Sequence, residues 1–272
     1  MKTAFTFLFV ITINFCFAAK VDTVSVYSNS MQKNIKSCVV TPDGYRNTKK
    51  YPVIYLLHGY SGNYKDWVQD SMSGNLADKH NIIIVCPDGG FGSWYFDSPK
   101  DENFQYETHI IKELIPWIDQ NYNTLADKTG RGITGLSMGG HGALYLAFRH
   151  QDLFGTAGSM SGGVDFRPFP NNWEIIKRLG NYKENRQLWE ENTVINMLHL
   201  LTPNSLALII DCGVDDFFYK VNCDLHKRML YLNIPHDFIS RPGKHEWNYW
   251  KNAVKYQVLF MSEFFERNIN RR

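Results

Sequence analysis

Two five-residue runs, VIYLL (53–57) and IIIVC (82–86), are apolar at every position. A strand with one solvated face would alternate, so these runs read as strands buried on both sides, in a sheet covered by helices above and below. Six further short runs punctuate the chain: VDTVSVYS from Val21, IKSCVVTP from Ile35, GRGITGLS from Gly130, GTAGSMSGG from Gly155, SLALIIDCG from Ser205 and HDFISRPG from His236. The runs from Val21 and Ile35 alternate polar and apolar residues and are expected at an antiparallel edge. Between the runs lie stretches with helical spacing, at 64–80, 104–122, 139–154, 222–233 and 246–268. The pattern predicts an α/β fold with a mostly parallel eight-stranded sheet flanked by helices.

One segment breaks the rhythm. From about 164 to 204 there is no strand signal, but RPFPNN, WEIIKRLG and QLWEENTVINMLHLL read as a loop and two short helices. An insertion of that length in a compact α/β domain is usually functional and is expected to form a small helical cap. No repeat or low-complexity linker divides the chain, so residues 20–272 are read as one domain.

Residues 1–19 carry a lysine at position 2, an apolar core, and small residues at Ala18 and Ala19. This is the pattern of a cleaved signal peptide, which predicts a secreted or periplasmic protein. Asn14 interrupts the apolar run, which is shorter than the roughly 20 residues that span a bilayer, so stable membrane insertion is not expected. The net charge of +2 and the lack of a Lys/Arg run argue against a nucleic-acid partner. Past position 19 the cysteines are Cys38, Cys86, Cys212 and Cys223, read as buried free thiols. No His/Cys cluster has metal-ligand spacing, and neither metal nor cofactor is expected.

The stretch GLSMGGHG (135–142) sits between a strand run and a helix run. Ser137 therefore lies at a strand-to-helix turn, with Gly135 and Gly139 where a side chain would collide with neighbouring backbone. That is the Gly-x-Ser-x-Gly nucleophile elbow. A phosphate-binding loop would need a Gly-Lys-Ser/Thr ending, and a dinucleotide site a third glycine where Tyr145 stands. A serine hydroxyl needs a base to take its proton and an acid to hold that base. In this arrangement the chain order is Ser, acid, His, with the acid after a late strand and the histidine after the last one. His245, in RPGKHEW, is the histidine just past the last strand run, and Asp215 and Asp216 share the turn after SLALIIDCG. The backbone amides of Met138, after the nucleophile, and Tyr60, just past His58-Gly59, are the expected donors to a developing oxyanion. His58 is expected to prop that loop, and His141 to be a satisfied helix residue.

Together YPVIYLLHGYSGNYKDW, GLSMGGHGALYLAF, DCGVDDFFY and PGKHEWNYW resemble the putative-esterase branch of the α/β hydrolases, over nearly the whole chain after residue 19. That branch includes tributyrin and feruloyl esterases, S-formylglutathione hydrolases and mycobacterial mycolyltransferases. The resemblance implies the α/β-hydrolase fold and a Ser137, Asp216, His245 triad, since the family's acid follows Gly-x-x-Asp. Lys244 replaces a glycine common before the family's histidine. The function expected is an exported serine carboxylic ester hydrolase working through an acyl-enzyme, on short acyl or hydroxycinnamoyl (acetyl, feruloyl) esters of carbohydrates. Alternatives are an acyltransferase to a sugar hydroxyl with the same triad, and a catalytically inactive carbohydrate-binding protein. Trp94 and Tyr95, in the glycine-flanked loop GGFGSWYFDSP, and Trp173, after PFPNN, are expected as exposed binding surfaces, with Trp189 a packing residue. Long-chain lipids are expected to be excluded by a closed pocket.

Overall fold

The computed structural model describes residues 18–270; the predicted signal peptide lies, but for Ala18 and Ala19, outside the described residues. Eight strands form one sheet: β1 (Lys20–Ser28), β2 (Lys33–Thr41), β3 (Val53–Leu57), β4 (Ile83–Pro87), β5 (Arg131–Gly135), β6 (Thr156–Met160), β7 (Ala207–Gly213) and β8 (Asp237–Arg241). Their order across the sheet is β1-β2-β4-β3-β5-β6-β7-β8. β1 and β2 pair antiparallel, as do β2 and β4, and every other pairing is parallel. The predicted sheet, with its antiparallel edge, is the one observed.

The helices are α1 (Met72–His80), α2 (Tyr106–Thr108), which runs on through a π-helical segment His109–Leu114 into α3 (Ile115–Asn121), α4 (Met138–Arg149), α5 (Ile175–Leu179), α6 (Arg186–Glu191), α7 (Tyr219–Tyr231) and α8 (Trp247–Ile269). The apolar residues of the central strands divide between two cores. Val53, Tyr55 and Leu57 of β3 face one core, shared with α3, α4 and α7, while Ile54 and Leu56 face the other, shared with α1 and α8. Period-two alternation on an all-apolar strand thus feeds both layers, which is why VIYLL carries no polar residue.

β3 has β4 on one side and β5 on the other, so the chain reverses its direction of winding there. Open α/β sheets bind ligands at such a switch point, beyond the carboxyl ends of the strands. The loop after β3 and the turn after β5 meet at that end. A Cβ added to Gly139 would lie 2.5 Å from the carbonyl oxygen of His58 and 2.6 Å from that of Leu57, and one added to Gly135 would lie 2.6 Å from the carbonyl oxygen of Gly139. Both elbow glycines are therefore fixed by backbone contact.

Residues 164–204 form loops and short helices, and Phe166, Ile175, Leu179 and Trp189 of this segment are buried in the core shared with α4. Its second predicted helix breaks at Asn192 and Thr193 into α6 and a 3-10 turn, Val194–Leu200. The break is held by side chains that compete for helix carbonyls: Thr193 Oγ1 donates to the Trp189 oxygen (2.6 Å) and Asn192 Nδ2 to the Leu188 oxygen (2.8 Å).

Gly139→Ala is expected to lower the free energy of unfolding by about 1–3 kcal/mol, because the neighbouring atoms are backbone and cannot rotate away. Gly74→Ala in α1, whose added Cβ meets Ala19 at 3.4 Å, is expected to be neutral or to stabilise by up to about 1 kcal/mol. Urea titration of both variants checks the contrast in sign.

Candidate active site

Ser137 has φ 54° and ψ −116°, outside the regions an L-residue favours. The surroundings hold it there. Its amide donates to the Met160 oxygen (2.9 Å), and its own oxygen accepts from the amides of His141 (3.0 Å) and Gly163 (3.2 Å). Such strain costs on the order of 1–3 kcal/mol and turns the hydroxyl outward from the sheet.

His245 Nε2 lies 2.9 Å from Ser137 Oγ, and its Nδ1 lies 2.8 Å from Asp216 Oδ2. Asp216 is buried, and its Oδ1 accepts from the amide of Phe218 (2.8 Å), so both carboxylate oxygens are engaged. Asp215 is exposed, while its amide donates to the Gly243 oxygen (3.0 Å). With Val214 N donating to the Arg241 oxygen (2.9 Å), that bond extends the β7–β8 pairing past the strand ends and ties the acid loop to the histidine loop. A Cβ on Gly213 would meet the Gly243 oxygen at 2.4 Å, so these loops also approach too closely for a side chain there.

Below this pair sits a buried carboxylate that sequence reading left without a role. Asp211 accepts from Tyr249 Oη and from Arg241 Nη2, joining β7, β8 and α8. Burial pushes its carboxyl above the usual range, against the pull of Tyr249 and Arg241.

The loop after β3 is organised by His58. The amide of Gly89 donates to its Nε2 (2.7 Å), so Nδ1 carries the proton and donates to the Gly59 oxygen (2.7 Å). That oxygen and the Tyr60 N–H belong to one trans peptide and point opposite ways, so anchoring the oxygen on His58 turns the Tyr60 amide away from the core. The oxygen also accepts from the amide of Gly62 (3.1 Å). Burial lowers the His58 pKa, in keeping with a neutral ring in this role. Met138 opens α4, so its amide has no acceptor within the helix. Among the described residues neither amide donates a hydrogen bond. A Cβ on Gly59 would meet Ser137 Cβ at 3.4 Å, which brings the loop against the elbow.

A cleft of about 290 Å³ opens beside Ser137, walled by Tyr60, Trp173, Phe217, Trp247 and Trp250. A larger groove of about 480 Å³ lies at the amino ends of β7 and β8, between Leu206 and Pro235, away from the serine. Trp173 lines the cleft, but Trp94 and Tyr95 do not. They are 1% and 0% exposed, and this corrects the expectation of exposed binding rings. Positive φ angles of 59° and 61° turn the two residues inward. Gly142 makes room for the Tyr95 ring, which a Cβ would meet at 2.5 Å. There Tyr95 Oη donates to the His58 oxygen (3.2 Å), and Trp94 Nε1 to the Trp173 oxygen (3.2 Å). Both residues support the site from beneath. The glycines flanking the loop signalled its tight winding, not its exposure.

No group of three or more His, Cys, Asp or Glu among the described residues could hold a metal ion, and no helix among them is long and apolar enough to cross a membrane. The four cysteines of the described residues are unpaired, and three are buried.

A family model for putative esterases matches residues 28–261. The chain belongs to that family. It is 40% identical over 239 residues to an esterase of Mycobacterium tuberculosis, an alignment covering 76% of this chain and 51% of that protein. The chain thus spans about half the length of that relative. An acetyl esterase of Caldicellulosiruptor saccharolyticus is 23% identical over 88% of this chain and 97% of its own. Among solved structures, a ferulic acid esterase superposes with a TM-score of 0.80 at 29% identity, over 92% of this chain and 99% of that one.

Beneath the elbow, His141 is fully buried with Nδ1 3.0 Å from the Trp94 oxygen and Nε2 2.8 Å from the Asn192 oxygen. It links α4 to the Trp94 loop and to the inserted segment. Burial lowers its pKa to about 4, although both carbonyls favour the charged ring. The unfolded chain takes up this proton near the ordinary value of about 6.5. Stability from the neutral ring is therefore present above about pH 6.5 and is lost as pH falls towards 4, by on the order of 3 kcal/mol in all. Melting temperatures measured between pH 7 and pH 4 are expected to fall less steeply for His141→Gln than for the parent chain.

Proposed function

We propose that the chain is an exported serine carboxylic ester hydrolase that works through an acyl-enzyme on short acyl or hydroxycinnamoyl esters of carbohydrates. The observation that carries the reaction is the unbroken line Ser137 Oγ, His245, Asp216, with contacts of 2.9 and 2.8 Å. In this reading His245 Nε2 takes the hydroxyl proton as Oγ attacks the ester carbonyl. Asp216 holds the proton on Nδ1 and supports the imidazolium. The amides of Tyr60 and Met138 receive the negative charge on the carbonyl oxygen. Collapse of the tetrahedral species gives the leaving alcohol the proton from Nε2. Water, deprotonated in turn by His245, then attacks the acyl-serine, releasing the acid and restoring the hydroxyl.

The substrate class is supported by the size and chemistry of the cleft. About 290 Å³ walled by aromatic rings suits an acetyl group or one planar phenylpropenoyl group better than a long acyl chain. The acetyl and ferulic acid esterases among the relatives point the same way. Export is supported by the sequence pattern of residues 1–19, and amino-terminal sequencing of protein recovered from the native host checks it.

Ser137→Ala is expected to lower kcat by several orders of magnitude with the melting temperature little changed, and to abolish the covalent adduct that a fluorophosphonate forms with the parent protein. Retention of more than a few per cent of kcat would exclude Ser137 as the nucleophile. Asp216→Asn is expected to cost about a thousandfold or more in kcat, since asparagine favours the wrong imidazole tautomer, whereas the exposed Asp215→Asn changes it by less than about threefold. A panel of acetyl, butyryl, octanoyl and feruloyl esters, run beside acetylated and feruloylated xylan, tests the substrate. The highest kcat/KM is expected on the acetyl or feruloyl members, and a preference for octanoyl esters would overturn this assignment while leaving the triad standing.

A further inference from the structure

The His245 imidazole is bonded at both ends but only within its own plane. The contacts at Nδ1 and Nε2 fix where the ring nitrogens lie, and neither resists tilting about the line that joins them. What lies against the faces of the ring decides whether it stays aligned.

Phe217 lies there, with centroids 4.2 Å apart and planes 37° apart. Trp250 and Phe218 meet the imidazole nearly perpendicular, at 4.9 and 5.6 Å. Phe217 is 48% exposed, so burial alone does not account for a phenylalanine at this position. Its outer support is Trp173, which stacks on it at 5.6 Å and 18°. Trp173 comes from the inserted segment, and within residues 164–204 it is the one that lines the cleft.

The backbone of Trp173 is itself constrained. Trp173 and Glu174 have φ 51° and 57°, a left-handed pair of non-glycine residues. Trp94 Nε1 holds the Trp173 oxygen. Arg178, one turn on and buried, donates to the Gly92 oxygen (3.2 Å) and to Asp101 (2.6 Å) and lies 3.3 Å over the ring of Phe104. An unfavourable conformation persists where its surroundings over-determine it, and strain of this kind gathers at functional sites. The histidine loop leaves β8 at the sheet edge through Gly243 at φ 151°.

We propose that Trp173 and Phe217 form a brace that keeps the His245 imidazole aligned on Ser137, so that the inserted segment acts on the base through stacked rings. Both are positioning residues: they touch the imidazole directly or through each other. The inference rests on the esterase reading for its kinetic consequence, but the alignment of the ring can be measured without it. The competing role is that the rings merely form a surface for the acyl group.

The experiment uses the full chain with Phe217→Leu, Phe217→Tyr, Trp173→Leu and the double variant Phe217→Leu/Trp173→Leu. Turnover is followed with p-nitrophenyl acetate, whose acyl group is too small to reach far along the wall. Phe217→Leu is expected to lower kcat about tenfold with KM within about twofold, and Phe217→Tyr to retain at least half of kcat. Trp173→Leu is expected to lower kcat about threefold. The double variant should be no worse than about twofold below Phe217→Leu, because the two rings act in series. A loss of kcat below about threefold in Phe217→Leu, or a rise in KM that accounts for the loss in kcat/KM, overturns the brace in favour of the substrate surface.

Proton NMR of the free protein supplies the second readout. The low-field Nδ1 proton of His245, assigned by its absence in Asp216→Asn, is expected to be sharp in the parent chain and broadened or lost in Phe217→Leu. A resonance unchanged in position and width overturns the proposal whatever the kinetics give. Should Phe217→Leu fail to fold by circular dichroism, Trp173→Leu with the same readout decides. If the parent chain hydrolyses none of the esters, the esterase reading falls, and the resonance still decides the brace.

Discussion

Everything at this site hangs on two backbones that touch. The carbonyls of Leu57 and His58 stand where a side chain at position 139 would be, and the carbonyl of Gly139 where one at position 135 would be. β3 and β5 pair in register out to Leu57 and Gly135, with the Leu136 amide donating to the Leu57 oxygen (3.3 Å), and the absence of two Cβ atoms lets the start of α4 press against both. From this contact the serine gains its turn and the β3 loop its place against the elbow. His58 then converts contact into orientation, since a ring wedged between the Gly89 amide and the Gly59 oxygen aims the next peptide. Tyr95 finishes the stack from below by bonding the His58 oxygen.

Asp216 and His245 are set by a different device. They come from neighbouring parallel strands, β7 and β8, whose pairing runs past the strand ends through Val214 and Asp215. Asp211, Arg241 and Tyr249 lock the same two strands to α8 from inside. A buried ion pair of this kind carries a heavy desolvation cost, and here it joins α8 to the two strands that lead to Asp216 and His245.

Much of this was legible in the sequence. All eight strand runs became strands, because each run was short, either apolar throughout or mixed with polar residues, and bounded by turn residues, and the elbow was readable because strand, Gly-x-Ser-x-Gly and helix stood in the right order. Asp216 was separable from Asp215 through the family's spacing, and the structure adds the physical difference, one carboxylate buried against an imidazole and the other in solvent. The failures were failures of direction. Nothing local says that Trp94 and Tyr95 turn inward, since that follows from positive φ at two residues other than glycine and from the space left by Gly142, 47 residues on from Tyr95. The break at Asn192 is different, since its signal is local, in the side chains of Asn192 and Thr193 that bond carbonyls four residues back, and apolar periodicity does not register it. Phe217 and Phe218 stand in a turn whose sequence gives them no distinguishing signal, and their meaning depends on His245, which arrives from another strand.

Strand order has a further bearing on how such a molecule would come apart. Ser137 follows β5, well inside the sheet, whereas His245 follows β8, a rim strand of which no residue is fully buried. Rim strands exchange their amide protons through local opening that leaves the interior intact. On the proposed esterase reading, Ser137 and the β3 loop are expected to yield last and His245 early. Mild denaturant or heat is then expected to detach the histidine while most of the sheet still stands, so that loss of chemistry and loss of structure would be separate events along one chain.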